Sequence, residues 1–234
     1  MNQVPGVFQK DSQQVYRALL LSDLPWLEHG FGTSRSPAWN QRQDVASLKQ
    51  IHSGICLYAG DRTGRIGDGD ALTTDVPGAL VAVRTADCIP ILLVDTGTRA
   101  VAAVHAGWRG TVARIVARTV EAMGARYGSR PEDLLAAIGP GIGGCCYEVG
   151  AEVAVKFREY FPERTDLEEQ ARVDLPEANR KQLVAAGLSP ARISVAGRCT
   201  CCSGDEFCSW RREHGQAGRM LAVVGASKNT KGAG

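Results

Sequence analysis

The spacing of apolar residues changes along the chain, and each change predicts a different element. Runs 79–84 and 89–95 are apolar, rich in β-branched residues and bounded by proline and glycine, which predicts buried strands. Run 100–105 (AVAAVH) predicts a third strand, and the intervening DTGTR has the composition of a hairpin turn. The period then lengthens. Val112, Ile115, Val116, Thr119, Val120 and Met123 recur at three- and four-residue steps and predict one helix over 110–127. Further on, 134–139 predicts a strand, 150–161 and 175–187 predict helices, the second closed by Gly187, and 192–196 and 220–224 predict late strands. Strands and helices interleave with hairpins among them, so the class is α/β or α+β with a mixed sheet. One domain is expected over 1–226, followed by a disordered polar tail, 227–234.

Composition narrows the partners more than the fold. The chain has 27 Lys+Arg against 25 Asp+Glu and only 6% aromatics, so bulk charge and base stacking argue for neither nucleic acid nor a membrane surface. The apolar runs are too short to span a bilayer, and the opening MNQVPGVFQK lacks the pattern of a secretory signal. Eight cysteines include the adjacent pairs Cys145-Cys146 and Cys201-Cys202, which suit a disulfide framework poorly. The expectation is a cytoplasmic protein with free or metal-bound thiols.

Four histidines are present: His29, His52, His105 and His214. His105 ends a predicted strand and opens His105-Ala106-Gly107-Trp108-Arg109-Gly110. A strand end, a glycine turn, an arginine and a helix start together predict an anion site, with Arg109 and Gly110 as phosphate contacts. The plainer reading is a turn with a surface arginine. Cys88 stands at a strand end in Thr85-Ala86-Asp87-Cys88-Ile89-Pro90; read alone it is a small buried hydrophobe. The stretch 67–74, with Asp68 and Asp70, lacks the spacing of a calcium loop and reads as a solvated turn. Cys199, Cys201, Cys202 and Cys208 suggest a metal knuckle or iron–sulfur site, but without a second CxxC pair a zinc ribbon is not supported. The glycine-rich loop 139–149 around Cys145 and Cys146 suits the lining of a ligand site.

Taken together, Gln50-Ile51-His52, Asp70-Ala71-Leu72-Thr73-Thr74, the segments around Cys88 and His105, the 139–149 loop and Arg211-Arg212…Gly218-Arg219-Met220 resemble, in the same order, the YfiH/YlmD laccase-domain family. That family is also described as purine nucleoside phosphorylase or multicopper polyphenol oxidoreductase. The resemblance implies a layered α/β/β/α sandwich related to a toxin deamidase domain. It also implies a zinc site of His52, Cys88 and His105 with a fourth position left for water or substrate. The activity it implies is zinc-dependent phosphorolysis of adenosine, inosine, guanosine or methylthioadenosine, with adenosine deamination as a further reaction. Nucleoside and phosphate are then the partners, and a monomer is expected. Arg35, displaced by one residue from the family's arginine, Arg109, Gly110 and Cys145 become substrate or phosphate contacts, and Asp70 and Asp87 the candidate proton-shuttling carboxylates. Three competing readings remain. A copper polyphenol oxidase is one: a four-copper centre needs on the order of ten histidines against the four present, which leaves the reading of a single copper at the same site. A Cys88–His105 amidase in peptidoglycan editing is another. The last is a structural zinc in a binding module, closed by a C-terminal cysteine.

Overall fold

A computed structural model describes residues 7–228. In chain order the strands are β1 (Phe8–Lys10), β2 (Tyr16–Ala18), β3 (Leu27–Phe31), β4 (Ala46–Lys49), β5 (Cys56–Tyr58), β6 (Gly64–Asp68), β7 (Ala71–Thr74), β8 (Val81–Thr85), β9 (Ile89–Asp95), β10 (Val101–Ala106), β11 (Leu134–Ile138), β12 (Glu148–Val149), β13 (Ala171–Arg172), β14 (Ile193–Val195) and β15 (Met220–Ala226). They form a seven-stranded sheet, β1-β2-β3-β15-β8-β4-β6, and a six-stranded sheet, β14-β11-β9-β10-β7-β5, with β12 and β13 paired apart.

Period-two alternation in the six-stranded sheet decides the layers. Ile89, Ile91 and Leu93 of β9 and Leu134, Ala136 and Ile138 of β11 face one core, while Leu92, Val94, Leu135 and Ala137 face the other. The first core is closed by α4 (Ile115–Tyr127) through Ile115, Val116, Val120 and Met123, and by α6 (Leu175–Ala185) through Leu175, Ala178 and Leu183. The second core lies between the sheets and takes Val81, Val83, Ala222 and Val224 from the seven-stranded one. A smaller third core covers that sheet's outer face, where Trp39 of the one-turn helix α2 (Pro37–Asn40), which follows the equally short α1 (Leu19–Ser22) in the chain, packs with Val15 and Leu221. The expected mixed, layered sandwich is present, with its outer helical layer reduced to this single turn.

Two expected helices are interrupted. The helix expected over 110–127 is α3 (Trp108–Val112) followed by α4, with Arg114 between them in the left-handed region (φ 59, ψ 38). The apolar period survives because both pieces bury the same face. Over 150–161 only α5 (Ala151–Ala154) and a tight turn at Val155–Phe157 are helical, and Phe157, Tyr160 and Phe161 instead fill the helix-side core. Helix α6 follows expectation: Asp174 caps it by accepting from the Glu177 amide at 2.9 Å, and Gly187 follows it at φ 100. Of the tail, 229–234 lies outside the described residues, while the Ser227 amide donates to the Trp26 carbonyl at 2.7 Å.

The topology gathers one end of the sandwich. Strands β4, β6 and β8 run parallel in one sheet, and β5, β7 and β9 share a direction in the other. Three times in succession, β4 to β5, β6 to β7 and β8 to β9, the chain therefore crosses between sheets at the same end. These crossings carry His52, Asp70 and Cys88. Strands β10 and β11 finish there, and β15 begins there opposite Thr85.

His29 on β3 is buried, and its Nε2 accepts from the Ala18 amide at 3.1 Å. Burial, reinforced by the nearby Arg17 charge, pulls its pKa from 6.5 down to about 4. The unfolded chain thus binds a proton that the native fold refuses. The resulting stability is complete above pH 6.5 and is lost as the pH falls through about 4, roughly 3 kcal/mol in all. Urea unfolding from pH 7 to pH 4 should show the wild type losing about that much more than His29→Gln; parallel curves would contradict this.

Candidate active site

The ladders at the gathered end set the side chains. The β9–β10 register pairs Pro90 with His105 and Ile89 with Ala106, so Cys88 comes opposite Gly107. The β7–β10 register pairs Ala71 with Val104, so Asp70 comes opposite His105, whose amide donates to the Asp70 carbonyl at 2.7 Å. His52 arrives from the β4–β5 crossing in a left-handed conformation (φ 58).

One donor atom each from His52, Cys88 and His105 lies within 4.8 Å of the others, with Cys88 Sγ 3.9 Å from His52 Nε2. Donors around a single tetrahedral zinc stand about 3.3–3.8 Å apart, so the group needs only a slight contraction to hold one ion. The supporting contacts fit as well. Asp70 is fully buried, and its Oδ1 lies 2.8 Å from His105 Nδ1. Burial pushes this carboxyl up, but His105 and Ser53 outweigh it and hold the pKa at about 2. An ionised carboxylate only accepts, so Nδ1 carries the hydrogen and Nε2 is left as the donor atom for a metal. Asp70 also accepts from the amides of His52 (3.0 Å) and Ser53 (2.5 Å) and from Ser53 Oγ (2.7 Å), fixing the loop that presents His52. Burial raises the Cys88 thiol, yet the His105 and His52 imidazoles bring it down to about 6, which favours the thiolate. Gly107 is required by space. A Cβ there would stand 2.8 Å from Cys88 Sγ and 3.0 Å from the His52 ring.

Above this floor opens a hollow of about 610 Å³. Tyr147, Trp210 and Ile142 form its apolar walls, and Arg84, Arg211 and Arg219 its cationic ones. Trp210 is 51% exposed, with the Arg219 guanidinium 4.8 Å from its ring centre. Gln50 locks to Arg84 through two bonds of 2.8 Å, each donating to the other's backbone or amide oxygen.

The expected site residues divide. Asp87 reaches the hollow in a left-handed conformation (φ 84), with its Oδ1 accepting from Thr200 Oγ1 (2.6 Å) and its Oδ2 from the Arg211 amide (2.7 Å). Asp70 lies beneath the floor, buried rather than in a solvated turn. Arg109 is exposed and stacks on Trp108 at 4.4 Å, outside the lining, though near enough for its charge to act on the Tyr147 hydroxyl. Gly110 is buried, where a Cβ would meet Ile115, the Ser53 carbonyl and the His105 carbonyl. The helix expected to offer its start to an anion is here the five-residue α3. Arg35 is paired with Asp205 at the surface (3.9 Å), and Cys145 sits among other cysteines; neither lines the hollow. Arg84 and Trp210 carry no expected role in the sequence, whereas Ile142 and Tyr147 belong to the 139–149 loop expected to line a ligand site, and Arg211 and Arg219 to a segment that carries the family resemblance. Arg84 and Arg219 share a signal of position, since they adjoin the facing ends of β8 and β15.

Asp70→Asn and Gly107→Ala should each weaken zinc binding, the first about 10- to 100-fold by loss of the carboxylate behind His105. Competition against a chelator of known affinity measures this; wild-type affinity in both variants would contradict the geometry.

Known proteins agree with this architecture. The family described as multi-copper polyphenol oxidoreductase laccase matches residues 34–227. A purine nucleoside phosphorylase of Deinococcus radiodurans is 46% identical over 78% of this chain and 70% of its own length. Purine nucleoside phosphorylase YlmD of Geobacillus stearothermophilus is 43% identical over 67% of this chain and 59% of its own length. Adenosine deaminase RL5, from an unknown prokaryotic organism, is 42% identical over 66% of this chain and 61% of its own. The crystal structure of YlmD from Geobacillus stearothermophilus superposes with a TM-score of 0.87 at 30% identity, covering 96% of this chain and 100% of that one. That of Bacillus licheniformis hypothetical protein YfiH gives 0.84 at 28% identity, covering 94% and 99%. The chain belongs to the multi-copper polyphenol oxidoreductase laccase family, alongside the YlmD-type purine nucleoside phosphorylases.

Proposed function

We propose that the protein is a zinc-dependent purine nucleoside phosphorylase, converting a purine nucleoside and phosphate into the free base and ribose 1-phosphate. The observation that carries this reading is the placement of a two-histidine, one-cysteine donor set at the floor of a hollow walled by aromatics and three arginines. A volume of about 610 Å³ suits a nucleoside with phosphate beside it. Trp210 and Tyr147 offer faces on which a purine stacks. Arg84, Arg211 and Arg219 neutralise phosphate and hold it against the sugar, with Arg109 at the rim. Asp87 is the carboxylate within reach of substrate, while Asp70 acts through His105 as a positioning residue. Held by His52, Cys88 and His105, zinc would supply Lewis acidity, polarising a bound oxygen or bringing the pKa of a water toward neutrality.

Zinc is favoured over a multinuclear copper centre by where the histidines stand. His29 is buried against Ala18 and His214 is exposed outside the hollow, so two of the four reach the donor set. Adenosine deamination draws on the same hollow and is supported by the name of one relative.

Metal-replete protein should release hypoxanthine and ribose 1-phosphate from inosine only when phosphate is present. Cys88→Ala and His105→Ala should lower kcat/KM by roughly 100-fold or more. Trp210→Ala should raise the nucleoside KM about tenfold, the scale of one lost stacking contact. If wild-type protein yields neither ribose 1-phosphate from inosine nor ammonia from adenosine, the reading fails.

A further inference from the structure

We propose that Cys145, Cys146, Cys199 and Cys202 hold a single zinc ion in a closed, all-thiolate tetrahedron, a second metal site that is separate from the His52, Cys88 and His105 centre and takes no part in the chemical step.

The four sulfurs lie within 4.8 Å of one another, with Cys202 Sγ 3.5 Å from Cys145 Sγ and 3.3 Å from Cys146 Sγ. Four thiolates around one zinc at about 2.3 Å define a tetrahedron with edges of about 3.8 Å. The observed cluster has that size, and all eight cysteines are free. Cys202 approaches both Cys145 and Cys146, which is the pattern of donors around one centre, not of two disulfide pairs. A multi-iron cluster would hold its cysteines farther apart, because the inorganic core stands between them.

The backbone is built for this convergence. In a tight turn, the amides of Cys146 and Tyr147 both donate to the Gly143 carbonyl at 3.0 Å, so two adjacent cysteines, which would diverge in a strand, turn to one side. Cys199-Thr200-Cys201-Cys202 supplies a CxxC pair, closed by the Ser203 amide donating to the Cys199 carbonyl at 3.1 Å. Gly141 and Cys199 form a parallel bridge, and the Thr200 amide donates to the Gly141 carbonyl at 3.0 Å. The Gly143 amide donates to Cys199 Sγ at 3.3 Å, the kind of contact that steadies a metal-bound thiolate. Soft thiolates select zinc over harder divalent ions, and four protein ligands leave no open position, so the ion is structural. Its place explains its use. It ties the loop bearing Ile142 and Tyr147 to the segment that leads to Trp210 and Arg211, joining the two walls of the hollow.

Metal content and X-ray absorption at the zinc edge test the proposal, on protein purified under reducing conditions without chelator. The variant His52→Ala/His105→Ala should retain one zinc per chain, with four sulfurs at about 2.3 Å and no nitrogen. Cys145→Ser/Cys202→Ser should lose that ion and keep any metal at the histidine centre. Should either variant fail to fold, wild-type absorption decides: an all-sulfur zinc alongside a mixed one supports the site. Zinc without an all-sulfur component, iron or copper in its place, inorganic sulfide, or a disulfide found by mass spectrometry among the four cysteines would overturn it. A missing histidine-centre metal with the sulfur site intact counts only against the proposed function.

Discussion

A buried carboxylate facing a histidine across two antiparallel strands sets the geometry of this molecule's working end. Asp70 and His105 are opposite one another because of the β7–β10 register, and the bond of 2.8 Å between them fixes both the rotation and the tautomer of the ring. The same carboxylate gathers the amides of His52 and Ser53, so one anion positions two imidazoles on different segments. A slip of one residue in that register would turn His105 to the opposite face of the sheet and dissolve the centre.

Around this pair the fold acts as a means of bringing separate segments to one place. Three consecutive crossings between the sheets end at the same rim, and Gly107 leaves the space in which Cys88 and His52 meet. Charge is then sorted by depth. The Cys88 sulfur and the two imidazoles form the floor, and the guanidiniums of Arg84, Arg211 and Arg219 stand on the walls beside Trp210 and Tyr147. Asp87 joins floor to wall, because its two oxygens hold Thr200 and the Arg211 amide while its neighbour Cys88 faces the other donors.

Much of the scaffold was legible in the sequence, and the reasons are local. Strand 89–95 is apolar on both faces because it is covered on both, and the 3.6-residue period of 112–123 persists through the break at Arg114 because burial of one face, not backbone continuity, sets that period. The three donors were legible only through family resemblance, since each stands on a different segment and their meeting depends on strand register. Asp70 looked solvated because its neighbours are glycines and another aspartate; its burial comes from the strand opposite. Cys145, Cys146, Cys199 and Cys202 read as two unrelated groups for the same reason, since a Gly141–Cys199 bridge between distant loops leaves no trace in spacing. Gly110 was expected as a phosphate contact from its glycine turn and Arg35 from the family resemblance; the first is packed against Ile115 and the carbonyls of Ser53 and His105, and the second lies at the surface beside Asp205, away from the hollow.

His52, Cys88 and His105 offer their donor atoms to one ion, and anomalous diffraction reads that out. Crystals grown with zinc and measured on both sides of its absorption edge should show a peak about 2.0–2.3 Å from His52 Nε2, Cys88 Sγ and His105 Nε2 together. A map with no peak among these three atoms, or with their side chains turned away from one another, would rule that shared ion out.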